Sequence, residues 1–456
     1  MVALTLAQEP LERSFVPLRA AGAITPAALA GYFLAAIMLR FLATRLGLRA
    51  MARSGRRADR WFRGAQLASL AADAWLVLGQ ALPLAGGFLR WTLEDLNLGH
   101  WPLVGKLAVL APYLAAQVGA WVVQYPQWQT SRLRGVGLAR PTWTRGEYIA
   151  YSLRHNVLFV LAPLSMVFLV GDGLVLAQNA GWFSETVLLI LMPAAWIGVF
   201  AFSPALIVRL WRTRSLPPGP LRDQLEAACR RLGLRYRDIL LWQTGGVLAN
   251  AGVMGLAGPL RYILVSDALL ECLPTEQVEA VFAHEAAHIV FRHIPYSLLF
   301  GLCATTGAVG LSVLAGWALG EDSPLVEVAA LAALAGLFFA GFGYISRRFE
   351  RQADVFGAWA VGSARPGDAD ERAVTTQGAA IFARALERVG ELNGTAPYQY
   401  NWRHGSIASR VGYIIWLGST GGTRRPIDRT VRGIKAALWL ACGAGALVAA
   451  WMLWPV

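Results

Sequence analysis

Long apolar blocks separated by short polar loops make up most of this chain. Blocks of about 20 residues, the length that crosses a hydrocarbon core of about 30 Å, lie near positions 22–40, 65–90, 103–125, 156–180 and 186–210, then near 296–319, 325–345 and 434–455. The pattern predicts about eight membrane-spanning helices. Two long polar stretches, 211–295 and 346–432, interrupt it.

The loops orient these spans, because arginine and lysine collect on the cytoplasmic side. The loop after the first span carries Arg45, Arg49, Arg53, Arg56, Arg57, Arg60 and Arg63 against Asp59, and the loop after the third carries Arg132, Arg134, Arg140, Arg145 and Arg154. The alternate loops are acidic, with Glu94 and Asp95, Glu185, and then Glu321 and Asp322. Trp61, Trp91, Trp101, Trp211, Trp317 and Trp454 stand near span ends, where interfacial anchors belong. Both long polar stretches then face the cytoplasm, separated only by a membrane hairpin. The expected organisation is a membrane region over 1–210 with about five spans, one domain over 211–432 interrupted by a transmembrane hairpin at about 296–345, and a C-terminal span over 433–456.

Composition agrees. The chain is 56% hydrophobic and 15% charged, against roughly 45–50% and about 25% in soluble domains, which excludes a single soluble globule. The net charge of +13 reads as inside-loop arginine and lipid contact, and nucleic acid is not expected as a partner. Only Lys106 and Lys435 are lysines. That arginine bias, with abundant glycine and alanine, suggests a GC-rich prokaryotic genome, hence a multi-pass protein of the cell (inner) membrane. Cys229, Cys272, Cys303 and Cys442 form no CxxC pair, so neither a disulfide framework nor a thiolate metal site is implied. Acidic Glu9 and Glu12 argue against a removable signal segment.

The chemistry concentrates in Val281-Phe-Ala-His-Glu-Ala-Ala-His288, an HExxH. On a helix, His284 and His288 share one face and can take adjacent corners of a tetrahedral zinc site, with Glu285 beside them as general base. Thr275 after Pro274 is the N-cap candidate, and no helix breaker follows before Pro295. A catalytic zinc needs a third protein ligand. Ser346-Arg-Arg-Phe-Glu-Arg-Gln-Ala-Asp354 supplies candidates. Glu350 and Asp354 are again four apart on a helix, one as ligand and one as acceptor for a ligand imidazole N–H. The same segment also reads as an ordinary arginine-rich membrane exit.

These residues, together with Leu216-Pro-Pro-Gly-Pro-Leu-Arg-Asp223 and Asn250-Ala-Gly-Val-Met-Gly255, occur in the order seen in membrane zinc peptidases of the HtpX and CAAX prenyl protease type. The resemblance covers about residues 210–415. It implies one zinc ion on His284, His288 and Glu350, water activation by Glu285, and Asp354 orienting a histidine. It implies an edge strand at Asn250 to Gly255 followed by a second strand at Arg261 to Val265. A substrate chain could add to that edge, so Asn250, Ala251 and Gly252 are candidate substrate-binding residues. His404-Gly-Ser-Ile-Ala-Ser-Arg410 resembles the family's late histidine and arginine signature, with Gly405 where proline is usual. His404 is thereby a candidate oxyanion donor and Arg410 a candidate substrate contact.

The expected fold is mainly α: a polytopic membrane protein with a cytoplasmic zincin-like α+β metallopeptidase domain carrying a small β-sheet edge. The expected partners are the bilayer and protein or peptide substrates, themselves membrane-embedded. The expected activity is zinc metalloendopeptidase; the alternatives are a CAAX-type C-terminal processing protease and an inactive scaffold of the same fold. A transporter fits less well, since intramembrane charge is sparse. Asp73 within the second span is expected to hydrogen-bond another helix. His293, five residues after His288, falls off the metal face of a continuous helix and is expected to cap the helix end or meet headgroups. His100 and His155 receive no role.

Overall fold

The computed structural model describes residues 24–53, 55–101, 103–135, 143–319, 334–362 and 373–452. The chain divides into two units, Met1–Trp211 and Arg212–Val456. The first 23 residues, Arg140, Glu321, Asp322 and Trp454 lie outside the described residues.

The first unit is helical: α1 (Ile24–Met51), α2 (Gly55–Leu78), α3 (Val104–Gly135), α4 (Arg145–Asn179) and α5 (Glu185–Leu210). Among the described residues of this unit, five apolar blocks, Thr25–Met51, Arg63–Leu84, Val104–Thr130, Arg145–Asn179 and Glu185–Leu210, are long and apolar enough to cross a membrane. Tyr32, Ala36, Leu76, Ala116 and Ala120 form the contact between α1, α2 and α3. Alanine at three of these positions lets the helices approach closely without voids. Two aromatic side chains place their polar ends on backbone carbonyls inside the bundle, which lowers the cost of burying them away from water: Tyr32 donates to the Leu76 carbonyl at 3.1 Å and Trp75 to the Tyr32 carbonyl at 3.0 Å. Asp73 pairs with Arg40 of α1, which meets the expectation of a bond to another helix. Leu34, Leu67, Leu70, Ile190 and Phe200 remain more than half exposed on these helices, the pattern of a lipid-facing surface.

The second unit carries a four-stranded sheet of β1 (Thr213–Ser215), β2 (Asp238–Trp242), β3 (Ala251–Met254) and β4 (Tyr262–Ser266), in the order β1-β2-β4-β3. The apolar runs of β2 and β4 pair in parallel and are buried on both faces, as parallel strands are. β3 lies at the edge, antiparallel to β4 with Gly252 opposite Leu264 and Val253 opposite Ile263. The two strands expected from the sequence are therefore present as neighbours, and the first is an edge.

The helices of this unit are α6 (Pro220–Arg231), α7 (Asp267–Cys272), α8 (Thr275–Val290), α9 (His293–Leu319), α10 (Gly343–Gly362), α11 (Thr376–Leu392), α12 (Ile407–Ser419) and α13 (Arg425–Met452). Ala283 and Ala287 of α8 pack on Ala353, Phe356 and Ala360 of α10 in one core cluster. Behind α10, α11 crosses at Gly378, where a Cβ would stand 2.3 Å from the Ala358 carbonyl oxygen. Only glycine permits that crossing.

Candidate active site

Small residues on α8 and α10 bring the two motif helices together. Helix α8 starts at Thr275, with Pro274 in extended conformation ahead of it and no side-chain cap, one residue earlier than the expected N-cap. The four-residue spacing puts His284 and His288 on the face turned to α10, and the same spacing puts Glu350 and Asp354 on the answering face. Helix α12 begins after Ser406, whose hydroxyl accepts from the Ser409 N–H. The preceding turn is closed by paired backbone bonds between Asn401 and Gly405. Gly405 has φ +80°, a value the proline ring, fixed near −65°, cannot adopt. The departure from the family pattern thus coincides with a turn that requires glycine.

The geometry is convergent. His284 Nε2 lies 3.6 Å from Glu350 Oε2, and His288 Nε2 lies 3.8 Å from Glu350 Oε1. One ligand atom from each of the three residues lies within 4.8 Å of the others. Bonds of 2.0–2.1 Å at tetrahedral angles place ligand atoms about 3.3 Å apart, so from separations of up to 4.8 Å the three side chains close around an ion by drawing in by about 1.5 Å at most. Two imidazoles and one carboxylate are also the donor set of a catalytic zinc, three protein ligands with one position left open. The residues fit the ion.

The other ring nitrogens are held from behind. His284 Nδ1 lies 3.0 Å from Asp354 Oδ1, a close contact poorly aligned for a hydrogen bond. His288 Nδ1 meets His293 Nδ1 at 3.0 Å. Arg410 donates to both Asp354 oxygens, Nε at 2.8 Å and Nη2 at 2.6 Å, and its Nη2 lies 3.5 Å from Glu350 Oε2. His404 Nδ1 stands 3.0 Å from the same Glu350 oxygen.

Burial and charge set the protonation states. Burial pushes the Glu285 carboxyl up to about 7 and the His288 imidazole down to about 4, with the charge of His284 adding to the second shift. Burial alone would raise Glu350, but His404, His284 and Arg410 outweigh it and hold the carboxyl well below the usual range. Asp354 is lowered in the same way, by Arg410 and His284 against its burial. Burial opposes charge on His284, yet Asp354 and Glu350 prevail and raise its pKa.

A cleft of about 420 Å³ opens in front of these groups. His284, Glu285, His288, Glu350, Asn250, His404 and Arg410 all line it, so the sequence-expected residues are brought to one place. Asp354 stands behind His284. The cleft reaches the edge strand through Asn250 and Val253 rather than through Ala251 or Gly252. Arg410, expected at the substrate, lines the cleft while donating to both Asp354 oxygens, and with Glu350 beside it it is the shared cation of two buried carboxylates. His293 departs from expectation more sharply: it is 2% exposed and touches His288. Sequence reasoning also missed the apolar wall of Phe382, Leu386 and Val389. Their spacing of four and three residues along α11 was the available signal.

Comparison with known proteins bears on the family rather than on the single residues of the site. Residues 217–399 match the model of Peptidase family M48. The chain is 30% identical over 176 residues to a protein named Protease HtpX homolog from Aeropyrum pernix, covering 36% of this chain and 54% of that protein. A second Protease HtpX homolog, from Syntrophotalea carbinolica, is 27% identical over 119 residues, covering 26% of this chain and 40% of its own. The chain spans about half the length of the curated relatives it matches. Its structure is similar to the crystal structure of S. mikatae Ste24p, with TM-score 0.53 and 15% identity over 86% of this chain and 98% of that one; at this identity the likeness is one of fold.

Proposed function

We propose, for a chain whose residues 217–399 belong to peptidase family M48, that it is an integral membrane zinc metalloendopeptidase that cuts membrane proteins or peptides at the cytoplasmic face, in quality control or processing. The observation that carries this reading is the convergence of His284, His288 and Glu350 ligand atoms within 4.8 Å, with Glu285 in the same cleft. A zinc ion on these residues supplies a water made acidic enough to deprotonate near neutral pH and an electrophile for the scissile carbonyl.

The chain's own residues do the rest. Glu285, with a carboxyl poised near neutrality, takes the water proton and returns it to the leaving amine. His404, at the cleft and half-exposed, donates to the negative charge that develops on the carbonyl oxygen. Asp354 and Arg410 hold His284 and Glu350 in place. Extended substrate adds antiparallel to the free edge of β3, its main chain hydrogen-bonded there. Phe382, Leu386 and Val389 then face the residues beside the scissile bond, which favours apolar side chains such as those of membrane segments. The alternatives, CAAX-type C-terminal processing and an inactive scaffold, are separated by assay.

The test is the purified chain in detergent. The reading expects about one zinc per chain and internal cleavage of apolar peptides, with both lost in His284→Ala and Glu350→Ala. Cleavage restricted to a prenylated C-terminal tripeptide would favour the processing alternative, and zinc without hydrolysis the scaffold.

A further inference from the structure

Behind His288 runs a chain of hydrogen bonds that the catalytic reading does not use. His293 Nδ1 meets His288 Nδ1 at 3.0 Å, His293 Nε2 meets Gln352 Oε1 at 2.9 Å, and Gln352 Nε2 donates to Asp428 Oδ1 at 2.6 Å. His293 and Gln352 are 2% and 3% exposed. The His293 ring is held flat on Phe349, with centroids 4.3 Å apart and planes 4° from parallel.

We propose that His293 is a positioning residue for the metal centre: with Gln352 and Asp428 it fixes the tautomer of His288 so that the bare Nε2 faces Glu350. The inference rests on the zinc reading and concerns what makes His288 a ligand. The polarity follows link by link. A carboxylate only accepts, so Asp428 takes the amide NH2 of Gln352 and turns its oxygen to His293. That oxygen accepts from His293 Nε2–H. A neutral imidazole carries one N–H, so His293 Nδ1 is left as an acceptor, and the proton between the two histidines belongs to His288 Nδ1. The Nε2 of His288 then holds a lone pair, which is what a metal requires. Run in the opposite sense, the chain would put a proton on His288 Nε2 and bar the ion.

Asp428 lies on α13, far from the cleft in sequence, and the same helix sends Lys435 to the Phe291 carbonyl at the end of α8. The docking of α13 therefore reaches the metal helix twice, once through its backbone end and once through the protonation of a ligand.

The experiment measures zinc affinity of the full chain in detergent by competition with a chromophoric chelator. His293→Phe keeps the ring on Phe349 and removes both nitrogens; the expected loss is roughly 10–100-fold, the usual effect of removing a partner behind a ligand. Gln352→Leu should weaken binding comparably. Asp428→Asn, nearly isosteric and outside the cleft, frees Gln352 to turn and should cost about threefold or more. His293→Asn, whose amide oxygen can accept from His288, should recover part of the loss. Affinities of His293→Phe and Asp428→Asn within about twofold of wild type would overturn the proposal. A loss in His293→Phe alone, with Gln352→Leu and Asp428→Asn unchanged, would also overturn it, because packing rather than polarity would then explain the effect. If His293→Phe fails to fold, the Gln352 and Asp428 variants decide. A wild-type chain that takes up no zinc would overturn the zinc reading together with this proposal, whereas wild-type uptake with indifferent variants overturns this proposal alone.

Discussion

Replacing Arg410 with methionine keeps side-chain bulk and removes one charge from the centre of the second unit. In the wild type that guanidinium makes bonds of 2.6 and 2.8 Å to Asp354 and lies 3.5 Å from Glu350. The three side chains are 16%, 3% and 9% exposed, so solvent screening is small. Removing one partner of a buried pair costs about 3–5 kcal/mol, because the remaining charge is stranded. The pH dependence has a definite sign. Both carboxyls are depressed in the folded state, so their contribution is present above the unfolded carboxyl values of about 3.9 and 4.3 and is lost as pH falls through the folded values. Arg410→Met should therefore be less stable than wild type by about 3–5 kcal/mol near pH 7, and the gap should narrow in acid below about pH 4. The assay is denaturant unfolding of both metal-free proteins in detergent, followed by tryptophan fluorescence. A gap under about 1 kcal/mol near pH 7, or one that does not narrow in acid, would refute the buried-pair reasoning.

Zinc affinity should begin to fall above the ordinary imidazole value of about 6.5 as pH is lowered, because His284, whose pKa is raised, must lose its proton to bind; chelator competition from pH 5.5 to about 8.5 checks this. Asn393→Leu should raise KM several-fold with kcat largely kept. Its amide makes paired bonds of 3.1 and 2.7 Å with Ala249 at the start of the edge strand, and stranding that backbone costs about 1–3 kcal/mol. Gly378→Val should destabilise the second unit by about 1–3 kcal/mol or more, read as a lowered unfolding midpoint, since no Cβ fits the crossing with α10.

The candidate ligand set was legible because it is written in helical spacing. His284 with His288 and Glu350 with Asp354 each fall four apart, and a helix turns such pairs to one side whatever surrounds them. The apolar blocks of the first unit were legible for a similar reason, since span length is set by the bilayer. His293 was misread because extrapolating the helix past His288 assumes that it continues. It ends instead at Phe291, Arg292 turns the chain at φ +54°, and His293 opens α9 swung back toward His288. Arg410 was found as a residue but not as a partner of Asp354, 56 positions away, because pairing across helices is decided by packing. The relay through Gln352 and Asp428 joins three helices, and no local pattern announces it.

The central claim, water activation by Glu285 at a zinc held by His284, His288 and Glu350, is tested most directly by Glu285→Gln. Zinc content and peptide hydrolysis should be measured on the same purified sample. The account predicts about one zinc per chain, as in the wild type, with hydrolysis reduced by at least 10²–10⁴-fold, roughly the span a general base contributes. A Glu285→Gln protein that holds zinc and still cleaves at the wild-type rate would contradict it.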